Sequence, residues 1–247
     1  MRKFGLIGKK LGHSFSKKYF TEKFTREGIQ DTQYELYELP EASELKQLLA
    51  QEPELVGLNV TVPYKEQVLP LLDELDEAAA RIGAVNTIRI SRNGRTKGFN
   101  TDYIGFKSTL EEFFPLEVRG EALVLGTGGA AKAVKAALDD LHIPYRSVSR
   151  AAGPDTLQYE EVTPDLLQRY TLLVNTTPLG MHPHVDTAPL LPYDSLTPAH
   201  YAYDLVYNPE QTLFLQQCAA AGAHTINGLK MLYRQAEAAW HIWNANG

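Results

Sequence analysis

Lys65 closes the run Asn59-Val60-Thr61-Val62-Pro63-Tyr64-Lys65, in which polar groups interrupt an apolar strand and a proline leads into a helical pattern. A lysine at a helix start sits where the macrodipole disfavours a cation. Most first-turn lysines are simply solvated, but one that is also partly desolvated has its neutral form favoured, which suits proton exchange with an alcohol or a ketone. Short polar residues of the kind that could hold a substrate also gather at Ser14 and Ser16, at Asn59 and Thr61, and at Asn86 with Asn100, Thr101 and Asp102. Each has a plainer use as well: a serine or Asp102 can cap a helix, and Asn86 can serve a turn.

A second constellation begins at Leu125, where the chain reads LGTGGAAKAV. Gly126, Gly128 and Ala131 occupy the positions of a GxGxxA dinucleotide fingerprint between an apolar strand and an Ala-rich helix. Gly128 lets the backbone approach a pyrophosphate, and the helix N-terminus offers free N–H groups. At the end of the next strand an NAD-preferring site carries an acidic residue for the ribose 2′-hydroxyl. Here Ser149-Arg150 stands instead, and arginine favours a 2′-phosphate, so the loop points to NADP.

The elements that must position these groups follow from periodicity and turn signals. Strands are predicted at Phe4–Ile7, Tyr34–Leu39 and Val56–Val62, and helices at Ser16–Glu27 and Ser43–Gln51. A helical stretch from Tyr64 to Ile82 precedes strands Ala84–Ile90 and Thr96–Asn100, which flank an Asn93-Gly94 hairpin turn and close a mixed sheet. After a joining helix near Thr101–Phe114, strands at Ala122–Leu125, Tyr145–Ser149, Leu172–Asn175 and Tyr201–Leu205 and helices at Ala130–Leu141 and Gln211–Ala221 give a parallel, dinucleotide-type sheet. The last segment, Gly228–Asn244, is helical and is expected to pack back on the first region. The fold class is α/β with two domains, 1–101 completed by 229–247 and 102–228.

Composition narrows the function classes. The chain has 247 residues, 22% of them charged, with a net charge of −6, so nucleic acid is not an expected partner. The lone Cys218 cannot form an internal disulfide, and no apolar run is long enough to span a bilayer, so a cytoplasmic protein is expected.

In chain order, HSFS, NVTVPYK, GAVNT, NTD before Gly105-Phe106, GTGGA, NTTPLGM and NGLKMLYRQA resemble the shikimate dehydrogenase family over nearly the whole chain. The resemblance implies an N-terminal substrate domain, a Rossmann-like NADP domain, and reversible NADPH-linked reduction of 3-dehydroshikimate to shikimate on the way to chorismate and the aromatic amino acids. It implies that Ser14, Ser16, Asn59, Thr61, Lys65, Asn86, Asp102, Tyr207 and Gln235 hold the substrate, with Lys65 and Asp102 as the catalytic pair. On the cofactor side it implies Gly126, Thr127, Gly128, Gly129, Ala130, Ser149, Arg150, Asn175, Thr176, Thr177, Leu205 and Gly228. His13 falls in the substrate loop.

The chain departs from the family pattern after Arg150, continuing Ala151-Ala152-Gly153-Pro154 where a further basic residue often stands; Lys132 can partly compensate. Lys230 stands where many members have a small residue. Three other readings compete: a quinate/shikimate dehydrogenase accepting NAD, a non-catalytic sensor of NADP or a cyclohexene carboxylate, and a metal hydrolase using His182 and His184. The last lacks a third nearby ligand, so no metal is expected. A monomer or homodimer acting on a small molecule is the expected form.

Overall fold

The structure is a computed structural model that describes residues 1–12, 14–115, 120–151 and 153–245; His13 and Ala152 lie outside the described residues. The chain divides into two units, Met1–Thr101 with Ala236–Gly247, and Asp102–Gln235.

The first unit begins with β1 (Arg2–Gly8), whose last five residues are buried. Helix α1 (Phe15–Arg26) starts at Ser14, whose side chain accepts the Lys17 N–H at 3.3 Å, and ends with Lys23 and Arg26 in its last turn, as the macrodipole favours. There follow β2 (Thr32–Glu38), α2 (Leu45–Gln51), β3 (Leu55–Val60), β4 (Glu74–Leu75), α3 (Glu77–Ile82), β5 (Thr87–Ile90) and β6 (Thr96–Phe99). The sheet order is β2-β1-β3-β5-β6-β4, with β1 parallel to β2 and β3, and β5 antiparallel to β3 and β6. This is the mixed sheet expected, and Gly94, at φ +81°, turns the β5–β6 hairpin.

The long helix expected from Tyr64 to Ile82 is absent. The chain instead makes turns up to Val68, one short 3₁₀ turn at Leu69–Leu71, then β4 and α3. Pro70 lacks an N–H, and in a helix its ring would strike the carbonyl of Glu66, so a helix begun at Tyr64 cannot propagate. Asp76 starts α3 afresh by accepting the Ala78 N–H at 3.1 Å. No helix therefore begins at Lys65, and the dipole argument for that lysine falls away.

The second unit opens on α4 (Thr101–Phe113), whose first residue ends unit one. Then come β7 (Ala122–Leu125), α5 (Gly129–Asp140), β8 (Tyr145–Ser149), β9 (Thr156–Gln158), α6 (Pro164–Arg169), β10 (Leu172–Asn175), β11 (Tyr201–Asp204), α7 (Leu213–Ala220), β12 (His224–Ile226) and α8 (Leu229–Asn244). The strands are parallel in the order β12-β11-β10-β7-β8-β9. Counted from β7 this is the 3-2-1-4-5-6 order of doubly wound dinucleotide-binding sheets. Side-chain alternation covers both faces: Leu123 and Leu125 pack with Phe214, Leu215 and Cys218, while Val124 and Val174 pack with Phe106, Leu110, Val134 and Leu138. The short β9 and β12 were not anticipated, because three residues carry no periodicity.

The two compact units divide inside α8, between Gln235 and Ala236. Met231 packs against the core of unit two, whereas Ala236, Ala239 and Trp243 join Phe4, Phe20 and Tyr34 in unit one.

Candidate active site

In the first unit, main-chain bonds gather the polar run into one place. Val60 N–H donates to Asn86 O at 2.8 Å, Thr61 N–H to Ile7 O at 3.0 Å, and Asn86 N–H to Phe99 O at 3.1 Å. The Lys65 carbonyl accepts the Val85 N–H at 2.7 Å, so the turn bearing Lys65 is tied to the residue before Asn86.

The side chains continue the network. Tyr34 Oη donates to Asn59 Oδ1 at 2.7 Å, and Asn59 Nδ2 donates to Thr87 Oγ1 at 3.2 Å. Asn86 Oδ1 accepts from Thr101 N at 2.7 Å and from Thr101 Oγ1 at 3.1 Å, which fastens the start of α4. Asn59, Asn86, Asn100 and Thr101 are all buried. Buried amides with these bonds hold fixed orientations.

Burial pushes the Tyr34 phenol above its ordinary range, against the lowering influence of the half-buried Ser16 hydroxyl. Ser14 takes the capping role, Thr61 and Lys65 are half-buried, and Asp102 occupies the first turn of α4, where a carboxylate suits the helix dipole. Lys65 belongs to the first unit and Asp102 to the second. Gln235 is buried on α8 with its Nε2 donating to Leu232 O at 3.1 Å, while Tyr207 is 40% exposed.

In the second unit the fingerprint loop joins β7 to α5 at the sheet's switch point, between β7 and β10. Gly126 has φ +107°, and a Cβ there would lie 2.8 Å from Thr176 Oγ1. Thr127, Gly128, Gly129 and Ala130 are exposed, and a Cβ on Gly128 or Gly129 would meet nothing within 4 Å. The loop thus presents open backbone N–H groups at the start of α5. This geometry fits a dinucleotide pyrophosphate. Arg150 is exposed just beyond β8, next to half-buried Ser149. Gly228 answers a local demand, since a Cβ on it would strike the Leu205 carbonyl, and its N–H donates to Val206 O at 3.1 Å. Lys230 pairs with Glu112 of α4, as does Arg234 at 2.8 Å, which gives the departure at Lys230 a surface role.

Sequence reasoning passed over Asp204. It is fully buried at the carboxyl end of β11, where Oδ1 accepts from Asn175 Nδ2 at 2.9 Å and from Val206 N at 3.0 Å, and Oδ2 accepts from Thr212 Oγ1 at 2.5 Å. The available signal was an acidic residue ending an apolar strand beside Asn175, which ends the next one. Burial outweighs these three bonds and pushes the carboxyl up to about 6. Tyr193 and Cys218 also face it, and burial pushes the Cys218 thiol up to about 12.

A folded-state value above the unfolded one means that the native state binds the extra proton. Asp204's contribution is therefore fully present below about pH 4 and is lost as pH rises through about 6, a change of about 3 kcal/mol for a shift of about two units. Asp204→Asn is accordingly expected to gain stability relative to the wild type between pH 4 and pH 7 in urea titrations. A pH-independent difference between the two proteins would refute this.

Among the described residues no cluster of three or more His, Cys, Asp or Glu could hold a metal, and no helix is long and apolar enough to cross a membrane.

A sequence model of the shikimate dehydrogenase substrate binding domain matches residues 6–88. The NADP+ shikimate dehydrogenase of Methanococcus maripaludis (strain C6) is 35% identical, over 97% of this chain and 90% of the relative. The structure resembles the Thermus thermophilus shikimate 5-dehydrogenase complex with NADP(H) and shikimate, with a TM-score of 0.86 at 32% identity, covering 100% of this chain and 94% of that one. It also resembles the Corynebacterium glutamicum quinate dehydrogenase complex with NAD, with a TM-score of 0.86 at 28% identity, covering 99% and 94%. Likeness of this extent to the Methanococcus enzyme, together with the match of the substrate-domain model, places this chain in the shikimate dehydrogenase family.

Proposed function

We propose that this chain is an NADP-dependent shikimate dehydrogenase of the cytoplasm, reducing 3-dehydroshikimate to shikimate and running in reverse when shikimate and NADP+ are supplied. Residues 1–101, completed by 229–247, form the substrate domain and residues 102–228 the NADP domain. The observation that carries the reading is the coexistence of an open glycine loop at the switch point with an Asn59–Asn86 network tied to the Lys65 turn.

NADPH, when bound, supplies the hydride. The residues to hold it are Gly126 to Ala130 at the pyrophosphate, Ser149 and Arg150 at the 2′-phosphate, with Lys132 assisting, and Asn175, Thr176, Thr177, Leu205 and Gly228 along the sheet edge. Ser14, Ser16, Asn59, Thr61, Asn86, Tyr207 and Gln235 bind the substrate's hydroxyls and carboxylate. As negative charge develops on the ketone oxygen, Lys65 Nζ donates a proton to it, and in the reverse direction takes the proton from the hydroxyl. Asp102 accepts a hydrogen bond from a neighbouring hydroxyl and orients Lys65.

The test is nicotinamide absorbance with shikimate or quinate against NADP+ or NAD+. Turnover with shikimate and NADP+ is expected. Comparable rates with quinate and NAD+ would move the chain to the broader dehydrogenase, and binding without turnover would make it a sensor. Arg150→Ala is expected to raise the KM for NADP+ about tenfold, the loss of one charge-assisted bond, while leaving the KM for NAD+ within about twofold. Equal effects on both cofactors would remove Arg150 from the 2′-phosphate.

A further inference from the structure

We infer that Asp204 is a positioning residue that holds the cofactor-side edge of the parallel sheet in binding geometry, acting through Asn175, Val206 and Thr212. The inference rests on the NADP reading above.

The three bonds of this one carboxylate reach three separate segments. Asn175 ends β10, Val206 lies two residues past the end of β11, and Thr212 caps α7 by accepting the Leu215 N–H at 3.3 Å. Beyond Asn175 the chain of bonds continues. Asn175 Oδ1 accepts from Thr177 N at 3.0 Å and from Thr177 Oγ1 at 2.6 Å, and Thr176 Oγ1 donates to Leu125 O at 2.7 Å. Thr176 and Thr177 are in turn the groups that crowd Gly126 of the glycine loop. On the other side Val206 O accepts the Gly228 N–H, fixing the backbone next to Leu205.

Asn175's amide is oriented by this arrangement. With its Nδ2 committed to Asp204, its Oδ1 faces Thr177. Without the carboxylate, buried donors from Asn175, Val206 and Thr212 all lose their acceptor, and the loops must move to find others. A neutral amide at position 204 can keep the pattern, because its oxygen accepts from Asn175 and Val206 and its Nδ2 donates to Thr212 Oγ1. The role therefore lies in geometry and does not require the charge.

The experiment is NADP+ binding by titration calorimetry at pH 7 to wild type, Asp204→Asn, Asp204→Ala and Thr212→Val, with thermal melts and with KM values for both substrates. Asp204→Ala is expected to weaken NADP+ binding at least tenfold, with the shikimate KM within about twofold and with Asp204→Asn restoring binding to within about threefold. Thr212→Val, which keeps the shape but removes both the donor to Asp204 and the acceptor that caps α7, is expected to weaken binding about threefold, and it decides the matter if Asp204→Ala fails to fold. A folded Asp204→Ala with wild-type NADP+ affinity, an Asp204→Asn as weak as alanine, or, where alanine does not fold, an unchanged Thr212→Val overturns the inference alone. A wild type that does not bind NADP+ overturns the cofactor reading and this inference with it.

Discussion

Lys65→Met is expected to lower kcat by about 10²–10⁴-fold while moving the shikimate KM by no more than about threefold. Methionine keeps the stem that fills the half-buried position and deletes only the ammonium, so the loss reads the proton-transfer role. The turn that carries Lys65 is held by main-chain bonds, Lys65 O from Val85 N and Val68 N to Tyr64 O, and by Tyr64 Oη donating to Leu39 O at 2.5 Å. None of these needs the lysine side chain, so the variant is expected to fold and to bind shikimate. Asp102→Asn is expected to act in the same direction with a smaller loss. If it raises KM alone, Asp102 belongs to substrate binding and not to the proton path. Steady-state kinetics across pH with both variants check the pair, and near-normal turnover in Lys65→Met would remove Lys65 from the chemistry.

The residues around Lys65 were legible because polar side chains inside apolar strands are rare and stand out. The path by which they meet was not. Asn59 and Asn86 share a network because β3 and β5 pair antiparallel, with Asn59 opposite Thr87, a long-range register that local periodicity does not encode. The helix expected across Tyr64–Ile82 fails for a local reason present in the chain: Pro70 and the cap at Asp76 both interrupt it. In the second unit the sheet was readable from four buried runs and the glycine loop from its fingerprint. Asp204 was missed because its significance depends on Asn175, 29 residues away in the chain, and on Thr212 across an irregular connection, contacts that periodicity does not encode.

The last helix supplies the second large effect. Trp243 is 3% exposed, its ring lies 4.9 Å from Phe4 and 5.2 Å from Phe20, and its Nε1 donates to Ile88 O at 3.0 Å. Gly57 on β3 leaves room for the indole, since a Cβ there would collide with it. The end of the chain is thus keyed into the middle of the N-terminal sheet. Trp243→Ala opens a cavity and removes the indole's bond to the Ile88 carbonyl, so it is expected to destabilise the first unit by about 3–5 kcal/mol. The two tryptophans, Trp240 and Trp243, both lie on α8, so Trp240 alone reports the variant's urea unfolding from within the same aromatic cluster. The effect should also reach the substrate side. Tyr34, 6.4 Å from Trp243 by ring centroids, fixes Asn59 through its phenol, so the shikimate KM should rise more than the NADP+ KM. Trp243→Phe keeps most of the burial and is expected to recover most of both losses. A Trp243→Ala protein that unfolds at the wild-type urea midpoint would mean that unit one does not depend on this helix for its core.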